Sequence, residues 1–162
     1  MRIRLLVFCF VLLNCPAALA QKKLVKVVVL AQPSYCGGAP PSEEIVTEMT
    51  KPKPYASKKM YLVSEKGKVR VVKTGMNGSF CIKLAEGTYK LMEAWKHKKA
   101  SPNGGSIEHF DKTCLKMEWE KETLQIAVLK NEITITGKND ITLYCDWAYP
   151  CLLEAYKQPM PE

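Results

Sequence analysis

Residues 59–95 have the sequence KMYLVSEKGKVRVVKTGMNGSFCIKLAEGTYKLMEAW, and this stretch decides the fold. It contains four short runs in which apolar and polar residues alternate, separated by turns that include Gly67, Gly78 and Gly87. Alternation with a period of two is typical of strands with one buried face, and an Asn-Gly dipeptide favours a tight hairpin. The stretch therefore predicts an antiparallel meander around which the remaining chain is arranged.

Within the stretch, the alternation of odd and even positions along each strand predicts which side chains face the core. Phe80, Ile82 and Leu84 share one side of the third run and should point inward, while Cys81 should point outward. In the second run valines alternate with basic residues such as Arg70, so one face of that strand should be in contact with water.

The fourth run ends on a charged residue at a core position. Tyr89 and Leu91 are predicted to point into the core, and Glu93 shares their side of the strand. Because an ion is costly to bury, we expect either that the sheet face opens to solvent at Glu93 or that a β-bulge shifts the register there.

This stretch resembles the carboxypeptidase-regulatory-like family of prealbumin-like β-sandwiches, whose pattern has a D/N-x-G-x-F-x-I-x-L segment followed by G-T-Y-x-L. The matching residues are Asn77, Gly78, Phe80, Ile82, Leu84, Gly87, Thr88, Tyr89 and Leu91, with Asn77 and Gly78 adjacent here rather than spaced by one. The resemblance implies an all-β, antiparallel Greek-key sandwich of about seven strands with one or two short helices in the connections. It implies no particular activity, because such domains accompany many functions. The segments SYCGGAPPSEE and CDWAYPCL also resemble parts of uncharacterised exported proteins of Gram-negative bacteria.

Residues 1–20 have the features of a secretory signal peptide. A basic start precedes an apolar core, and small residues frame a cleavage site after Ala20. We therefore expect export, either to the periplasm or out of the cell. A lipoprotein acylated at Cys15 is disfavoured because the bulky, polar Asn14 stands where a small residue is expected. No later apolar run approaches the length of a membrane span.

The remaining residues, 21–162, have the length of one β-sandwich domain. A proline-rich crossover at 32–56 should lack regular ladders, although one short helix fits residues 43–49 with Ser42 as its N-cap. A second short helix is predicted at 111–120, capped by Asp111. The tail, 145–162, should be irregular and held by packing and a crosslink.

The charge pattern argues against nucleic acid as a partner. Loss of Arg2 and Arg4 with residues 1–20 lowers the formal net charge from +8 to +6 and leaves 21 lysines but a single arginine. Nucleic-acid recognition relies heavily on arginine, so another exported protein or a surface polymer is the more plausible partner. One alternative is an adhesin that binds anionic surfaces through Lys96, Lys98 and Lys99.

Five cysteines remain after residue 20, namely Cys36, Cys81, Cys114, Cys145 and Cys151. In an oxidising compartment they predict two disulfides and one free thiol, whose pairing the sequence alone does not determine. The candidate disulfide joins Cys145 to Cys151 within the tail. The alternatives are that each of these reaches a distant partner, Cys36 in particular, and that Cys81 either pairs with Cys114 or stays free.

The sequence predicts no catalytic residue, cofactor or metal site. The C-x-x-C spacing of redox enzymes is absent, and His97 and His109 are too far apart for zinc-ligand spacing or for the H-x-H iron ligands of related sandwich dioxygenases. We expect a non-catalytic exported module with a binding or structural role. The alternative is a small metal- or thiol-dependent enzyme that uses His97, His109 or an unpaired cysteine.

One candidate binding surface lies in the tail. Trp147 and Tyr149 are two residues apart and would share a face in an extended segment. Exposed aromatic side chains often mark interfaces.

Overall fold

The computed structural model describes residues 21–36, 42–49, 51–136, 141–145 and 148–157. In these ranges the chain is an all-β sandwich with three short α-helices in its connections, which confirms the predicted fold class. Ten strands are present there rather than about seven, because the first predicted strand is divided in two and short pieces of two and three residues join one layer. The predicted signal peptide at 1–20 lies outside the described residues. None of the described helices is long and apolar enough to cross a bilayer.

The elements follow one another as β1 (Lys23–Val28), β2 (Leu30–Pro33), α1 (Glu43–Met49), β3 (Lys53–Pro54), β4 (Lys59–Ser64), β5 (Val69–Lys73), β6 (Ser79–Leu84), β7 (Gly87–Glu93), α2 (Ala94–His97), α3 (Lys112–Glu120), β8 (Leu124–Val128), β9 (Ile133–Thr136) and β10 (Ile141–Leu143). Single 3-10 turns lie at Ile107–His109 and Glu154–Tyr156.

The larger layer is a five-stranded antiparallel sheet in the order β5-β4-β7-β8-β9. Its inward positions alternate as the pattern predicts. Met60 and Leu62 on β4, Leu91 on β7 and Ile126 on β8 are fully buried, and Leu62 lies opposite Leu91 in the ladder. Burial of these side chains is the main favourable contribution to folding of this layer.

The smaller layer packs on the other side of this core. β1 pairs with β6 in antiparallel fashion, and β2 continues β1 between β3 and β10. The Val29 amide donates to the Gly78 carbonyl at 2.9 Å, and the Tyr55 amide donates to the Val29 carbonyl at 3.0 Å, which joins the pieces. β10 runs parallel to β2. The expectation of a wholly antiparallel sandwich is therefore wrong at this pair of strands.

Inward parity on β6 is confirmed, whereas on β5 two of the three valines, Val69 and Val71, are exposed. Phe80, Ile82 and Leu84 are buried. The ladder pairs Tyr61 with Val71 and Met60 with Val72, so Val71 lies on the outer face, where it is 59% exposed, and Val72 packs partly buried against the core. The reason is that β5 is an edge strand; Arg70 lies on the inner side, and its guanidinium donates to the Lys83 carbonyl at 2.8 Å.

The proline-rich crossover contains more regular structure than its composition predicts. The last part of β2 and the whole of β3 lie within 32–56. The former pairs with β10, and β3 pairs with the start of β2, with Leu30 opposite Pro54. The predicted short helix is confirmed as α1, and the Ser42 hydroxyl accepts a hydrogen bond from the Ile45 amide at 3.4 Å. Pro33 and Pro54 are each the last residue of a strand, where a missing amide donor is tolerated.

The turn before β6 packs directly on β1. Asn77 Oδ1 accepts hydrogen bonds from the amide and the hydroxyl of Ser79, at 3.1 and 2.8 Å. Gly78 has a φ of +72°, and a Cβ atom at this position would lie 2.4 Å from the Val29 carbonyl oxygen. Glycine is therefore required here for both its conformation and its small size.

Disulfides join Cys36 to Cys145 and Cys114 to Cys151, and Cys81 is a free, exposed thiol. The predicted bridge between Cys145 and Cys151 is therefore wrong. The alternative, in which each tail cysteine reaches a distant partner and Cys81 stays free, matches the structure. Two disulfides indicate an oxidising, exported compartment.

This pairing follows from the way the tail is held. The parallel ladder places Leu143 opposite Pro33, so the two strands lead side by side toward Cys145 and its partner. Farther along, the Asp111 amide donates to the Cys151 carbonyl at 2.8 Å, which brings Cys151 to the first turn of α3. Long-range backbone pairing thus determines the disulfides, rather than proximity in sequence.

Candidate functional site

The most unusual group in the described part of the chain is the carboxylate of Glu93, the last residue of β7. The residue is only 9% exposed, because it has the same parity as Leu91 and points into the end of the core. The ladder pairs it directly with Met60, with no bulge. Neither of the two expected arrangements, an open sheet face or a shifted register, is correct.

Partners from two elements hold this carboxylate. Lys96, on α2, is likewise only 9% exposed, and its Nζ lies 3.6 Å from Glu93 Oε2. The hydroxyl of Tyr55, from the segment between β3 and β4, donates to Glu93 Oε1 at 3.4 Å. Both oxygens of the carboxylate are thus engaged, which is how a buried ion is tolerated.

Burial changes the acid–base properties of this group. Desolvation raises the pKa of Glu93 above its ordinary value, and the nearby Lys96 ammonium lowers it by less than burial raises it. Burial and the adjacent negative charge also raise the pKa of Tyr55, so its hydroxyl remains a donor throughout the physiological range.

A pocket of about 380 Å³ lies beside this pair. It is formed where α2, α3, the start of β8 and β10 meet at one end of the sandwich, and its volume is within the range of about 300–1,000 Å³ common for small-molecule sites. We call it the Glu93 pocket. Its lining residues are Glu93, Trp95, Lys96, Glu118, Lys121, Glu122, Thr123, Thr142 and Tyr144.

The other charged residues of the Glu93 pocket also have protein partners. Glu118 pairs with Lys121 one turn later on the chain. Glu122 Oε2 lies 3.1 Å from Nζ of Lys90, on β7. Each lining carboxylate therefore contacts an ammonium group of the protein itself.

One polar group of the pocket has no such partner. Thr123 is 4% exposed, and its hydroxyl oxygen has no hydrogen-bond partner within the described residues, although its backbone amide donates to the Leu91 carbonyl at 2.8 Å. An unsatisfied buried hydroxyl costs about 1–3 kcal/mol. Thr123 lines the pocket, but its hydroxyl oxygen itself is inaccessible to solvent.

Two aromatic rings border the Glu93 pocket. Lys96 Nζ lies 5.4 Å from the centroid of the Trp95 ring, within cation–π range. On the β10 side, the Tyr144 ring packs against Tyr149 with centroids 6.0 Å apart. Of the predicted tail surface, Tyr149 is thus half-buried behind the pocket wall, and Trp147 lies outside the described residues.

The two histidines of the enzyme alternative, His97 and His109, contact different parts of the chain. His97 stacks on Tyr61, with ring centroids 4.3 Å apart, and His109 stacks on Tyr156 at 4.1 Å. His97 is half-buried on α2. Among the described residues, no group of three or more His, Cys, Asp or Glu side chains is arranged to hold a metal ion.

The predicted lysine cluster is divided. Lys98 and Lys99 are exposed, but Lys96 is buried and paired with Glu93, so it is unable to contact an anionic surface. Cys81 lies on the outer face of β6, opposite Lys26 in the ladder, and does not border the Glu93 pocket.

Sequence patterns gave two indications of this site. The core parity of Glu93 and the i, i+3 spacing of Glu93 and Lys96 are visible in the sequence. Tyr55, Thr123 and Tyr144 join them only through tertiary packing.

No protein-family model, curated protein or solved structure matches this chain, so the chemistry of the Glu93 pocket is argued from its own residues.

Proposed function

We propose that residues 21–162 form an exported, non-catalytic β-sandwich module that binds a small ligand group in the Glu93 pocket. The observation that carries this proposal is the buried pair of Glu93 and Lys96 in the wall of that pocket. A buried charged group with a raised pKa that borders a cavity is a candidate for a functional site.

The engagement of Glu93 favours binding over catalysis. A raised pKa is also what a general acid or base requires. However, Tyr55 and Lys96 occupy both oxygens of this carboxylate. The lining residues include neither cysteine nor histidine, so they do not contain a Cys–His or Ser–His pair.

Binding is tested by titrating ¹⁵N-labelled protein, residues 21–162, with a panel of small neutral and charged compounds. We expect shifts of the Thr123 amide and the Trp95 indole signals. Lys98→Ala, an exposed change near but outside the pocket, is the control and should leave the shifts unchanged. Shifts confined to other faces of the sandwich, or none with any compound, would refute a ligand site in the pocket.

Export after cleavage following Ala20 belongs to the same proposal. Its support is the pair of disulfides, which need an oxidising compartment. Expression of the full chain in a Gram-negative host, followed by fractionation and intact mass, should give a periplasmic or secreted protein that begins at Gln21. A cytoplasmic product that keeps residues 1–20 would contradict it.

A further inference from the structure

We infer that the sandwich binds an extended segment of another exported protein, in which apolar residues alternate with acidic ones, as an additional strand beside β1. The segment occupies a groove between the free edge of β1 and the inner face of β9, which we call the β1–β9 groove. It is defined by Leu24, Lys26 and Val28 on β1 and by Ile133 and Ile135 on β9. None of these residues lines the Glu93 pocket, so the two sites can be tested separately.

One edge of β1 carries no ladder. Among the described strands β1 pairs with β6 alone, and the amide of Val29, just after β1, donates to the Gly78 carbonyl on that side. Backbone groups alternate between the two edges of an antiparallel strand. Those of Leu24, Lys26 and Val28 therefore point to the opposite edge, where an added strand can pair with them.

The smaller layer is one strand short at the level of β1. At β2 it has three strands, with β10 on one side and β3 on the other. β3 lies on the same side as β6, because Val29 donates to Gly78 before β6 and accepts from Tyr55 after β3. β10 therefore lies on the edge that is free in β1, and a strand added to β1 continues the position of β10.

Apolar side chains of β9 face this missing strand. The ladder places Ile135 opposite Ile126 and Ile133 opposite Val128, so all four point to the core side of the larger sheet. Ile126 and Val128 are fully buried, but Ile133 is 37% and Ile135 41% exposed. The smaller layer thus ends before it covers β9.

A contact at one end fixes the position of β1 relative to β9. Lys23 Nζ donates to the Leu129 and Lys130 carbonyls, in the turn that joins β8 to β9. Neighbouring strands lie about 4.7–4.9 Å apart and packed sheets about 10 Å apart. A strand paired with β1 on its free edge therefore lies over β9 and covers Ile133 and Ile135.

The charge of the groove selects the outward residues of the segment. All charged residues of β1 and β6 are lysines, and Lys26 is exposed on the outer face, opposite Cys81 in the ladder. Lys22 and Lys130 add exposed ammonium groups, and the nearby carboxylate of Glu132 accepts a hydrogen bond from a threonine hydroxyl at 3.3 Å. An acidic residue across from Lys26 forms a favourable cross-strand pair, whereas a basic residue is repelled.

Pairing of two β1 strands from two copies of the chain suits the groove less well. The inward residues Val25 and Val27 already lie in the core of their own copy, so they are not free to cover Ile133 and Ile135. The lysines of the two strands would also lie close together. A separate segment with alternating apolar and acidic residues meets both requirements.

The probe is the acetylated and amidated heptapeptide EVEVEVE, added to the exported chain, residues 21–162. EEVVVEE has the same composition without alternation, and KVKVKVK has the opposite charge. We expect EVEVEVE to bind with a Kd at least about tenfold lower than either control peptide. Its binding should weaken as the salt concentration is raised.

Hydrogen exchange measured at single amides locates the peptide. EVEVEVE should slow exchange at Leu24, Lys26 and Val28 by about tenfold or more, because these amides gain acceptors. By the same alternation Val69 and Val71 face the free edge of β5, and their amides are the internal control that should not change.

Two pairs of variants test the groove residues. Ile135→Thr removes apolar surface from the groove and should weaken binding about fivefold or more, whereas Val71→Thr, at an exposed position of β5, should not. Lys26→Glu should weaken binding of EVEVEVE and strengthen that of KVKVKVK. Lys73→Glu, on β5, changes the net charge equally and should do neither.

Equal affinities of EVEVEVE and EEVVVEE, or protection on β5 in place of β1, would overturn the inference. Protection of the β1 amides that grows with protein concentration in the absence of peptide would place a second copy in the groove, and it would overturn the inference as well. Neither result bears on ligand binding in the Glu93 pocket, which is read from other residues.

Discussion

Lys96 Nζ lies 3.6 Å from Glu93 Oε2 at the end of β7, and each residue is only 9% exposed. The pair links the first helical turn after the strand to the strand itself. Because both charges are withdrawn from water, the loss of one leaves the other uncompensated in the core.

Lys96→Met should therefore lower the free energy of unfolding by about 3–5 kcal/mol, measured by urea denaturation. Lys121→Met, which breaks the exposed pair with Glu118 on the same pocket, should change it by less than about 1 kcal/mol. The double variant Glu93→Leu with Lys96→Met should recover part of the loss. Equal losses of unfolding free energy in the two single variants would show that the buried pair contributes no more to stability than the exposed pair.

The raised pKa of Glu93 gives stability a defined pH dependence. A carboxyl group whose pKa is higher in the folded chain binds its proton more tightly there than in the unfolded chain. Its contribution to stability is therefore fully present below the ordinary glutamate value of about 4.5 and falls as pH rises through the folded pKa. Tyr55, Lys96 and Trp95 face this group and offset burial only in part.

The measurement compares unfolding free energies of the unaltered protein and Glu93→Gln between about pH 4 and 8. As pH rises, the unfolding free energy of Glu93→Gln should increase relative to that of the unaltered protein. A constant difference over this range would mean that the pKa of Glu93 is the same in both states.

Thr123 and Thr74 form a matched pair of buried threonines. The Thr123 hydroxyl has no partner, whereas Thr74 Oγ1 accepts a hydrogen bond from the Lys58 amide at 2.9 Å. Thr123→Val should leave stability unchanged or raise it by about 1 kcal/mol, and Thr74→Val should lower it by about 1–3 kcal/mol. Thermal and urea unfolding of both variants test this contrast. Similar losses in both would indicate that Thr123 has a partner within the fold.

The disulfide pattern predicts the chemistry of the thiols. Without reductant, iodoacetamide should modify Cys81 alone, and peptide mapping should find Cys36 joined to Cys145 and Cys114 to Cys151. Replacing both Cys114 and Cys151 by serine should cost about 4 kcal/mol, from the chain entropy of the loop that they close. A peptide in which Cys145 is joined to Cys151 would overturn this assignment.

Two glycines with similar backbone conformation allow the cost of backbone strain to be measured apart from the cost of steric crowding. Gly67 has a φ of +74° with open space at its Cβ position, whereas Gly78 has a φ of +72° and would place a Cβ 2.4 Å from the Val29 carbonyl. Gly67→Ala should cost about 1–2 kcal/mol. Gly78→Ala should cost clearly more, because β1 and the turn would have to separate. Equal losses would mean that the turn moves away from β1 without penalty.

Local patterns were sufficient to predict the sheet face of β6 and the two capped helices. Phe80, Ile82 and Leu84 alternate without interruption, and Asp111 accepts a hydrogen bond from the Cys114 amide at 2.6 Å, as a cap should. These features depend on neighbours within four residues. Because these contacts join residues that are close in sequence, the local sequence pattern is enough to predict them.

The candidate site could not be predicted in this way. Glu93 obtains one hydrogen bond from Tyr55, 38 residues earlier, and its pocket is lined by Tyr144, which directly follows a strand that pairs with β2. The same parallel ladder determines which cysteine meets Cys36. No local pattern encodes a pairing between distant segments, so the sequence left both the site and the disulfides open.

The disulfide between Cys36 and Cys145 spans 109 residues and has a mechanical consequence. All pocket-lining residues, from Glu93 to Tyr144, lie inside the covalent loop that it closes. Tension applied to the two ends of the domain would pass mainly from Cys36 through the sulfur bridge to Cys145, because the other covalent path, along the backbone to Cys114 and across to Cys151, is much longer. A module tethered between a cell and a polymer would thus keep its ligand pocket intact under load, even while its outer segments are stretched.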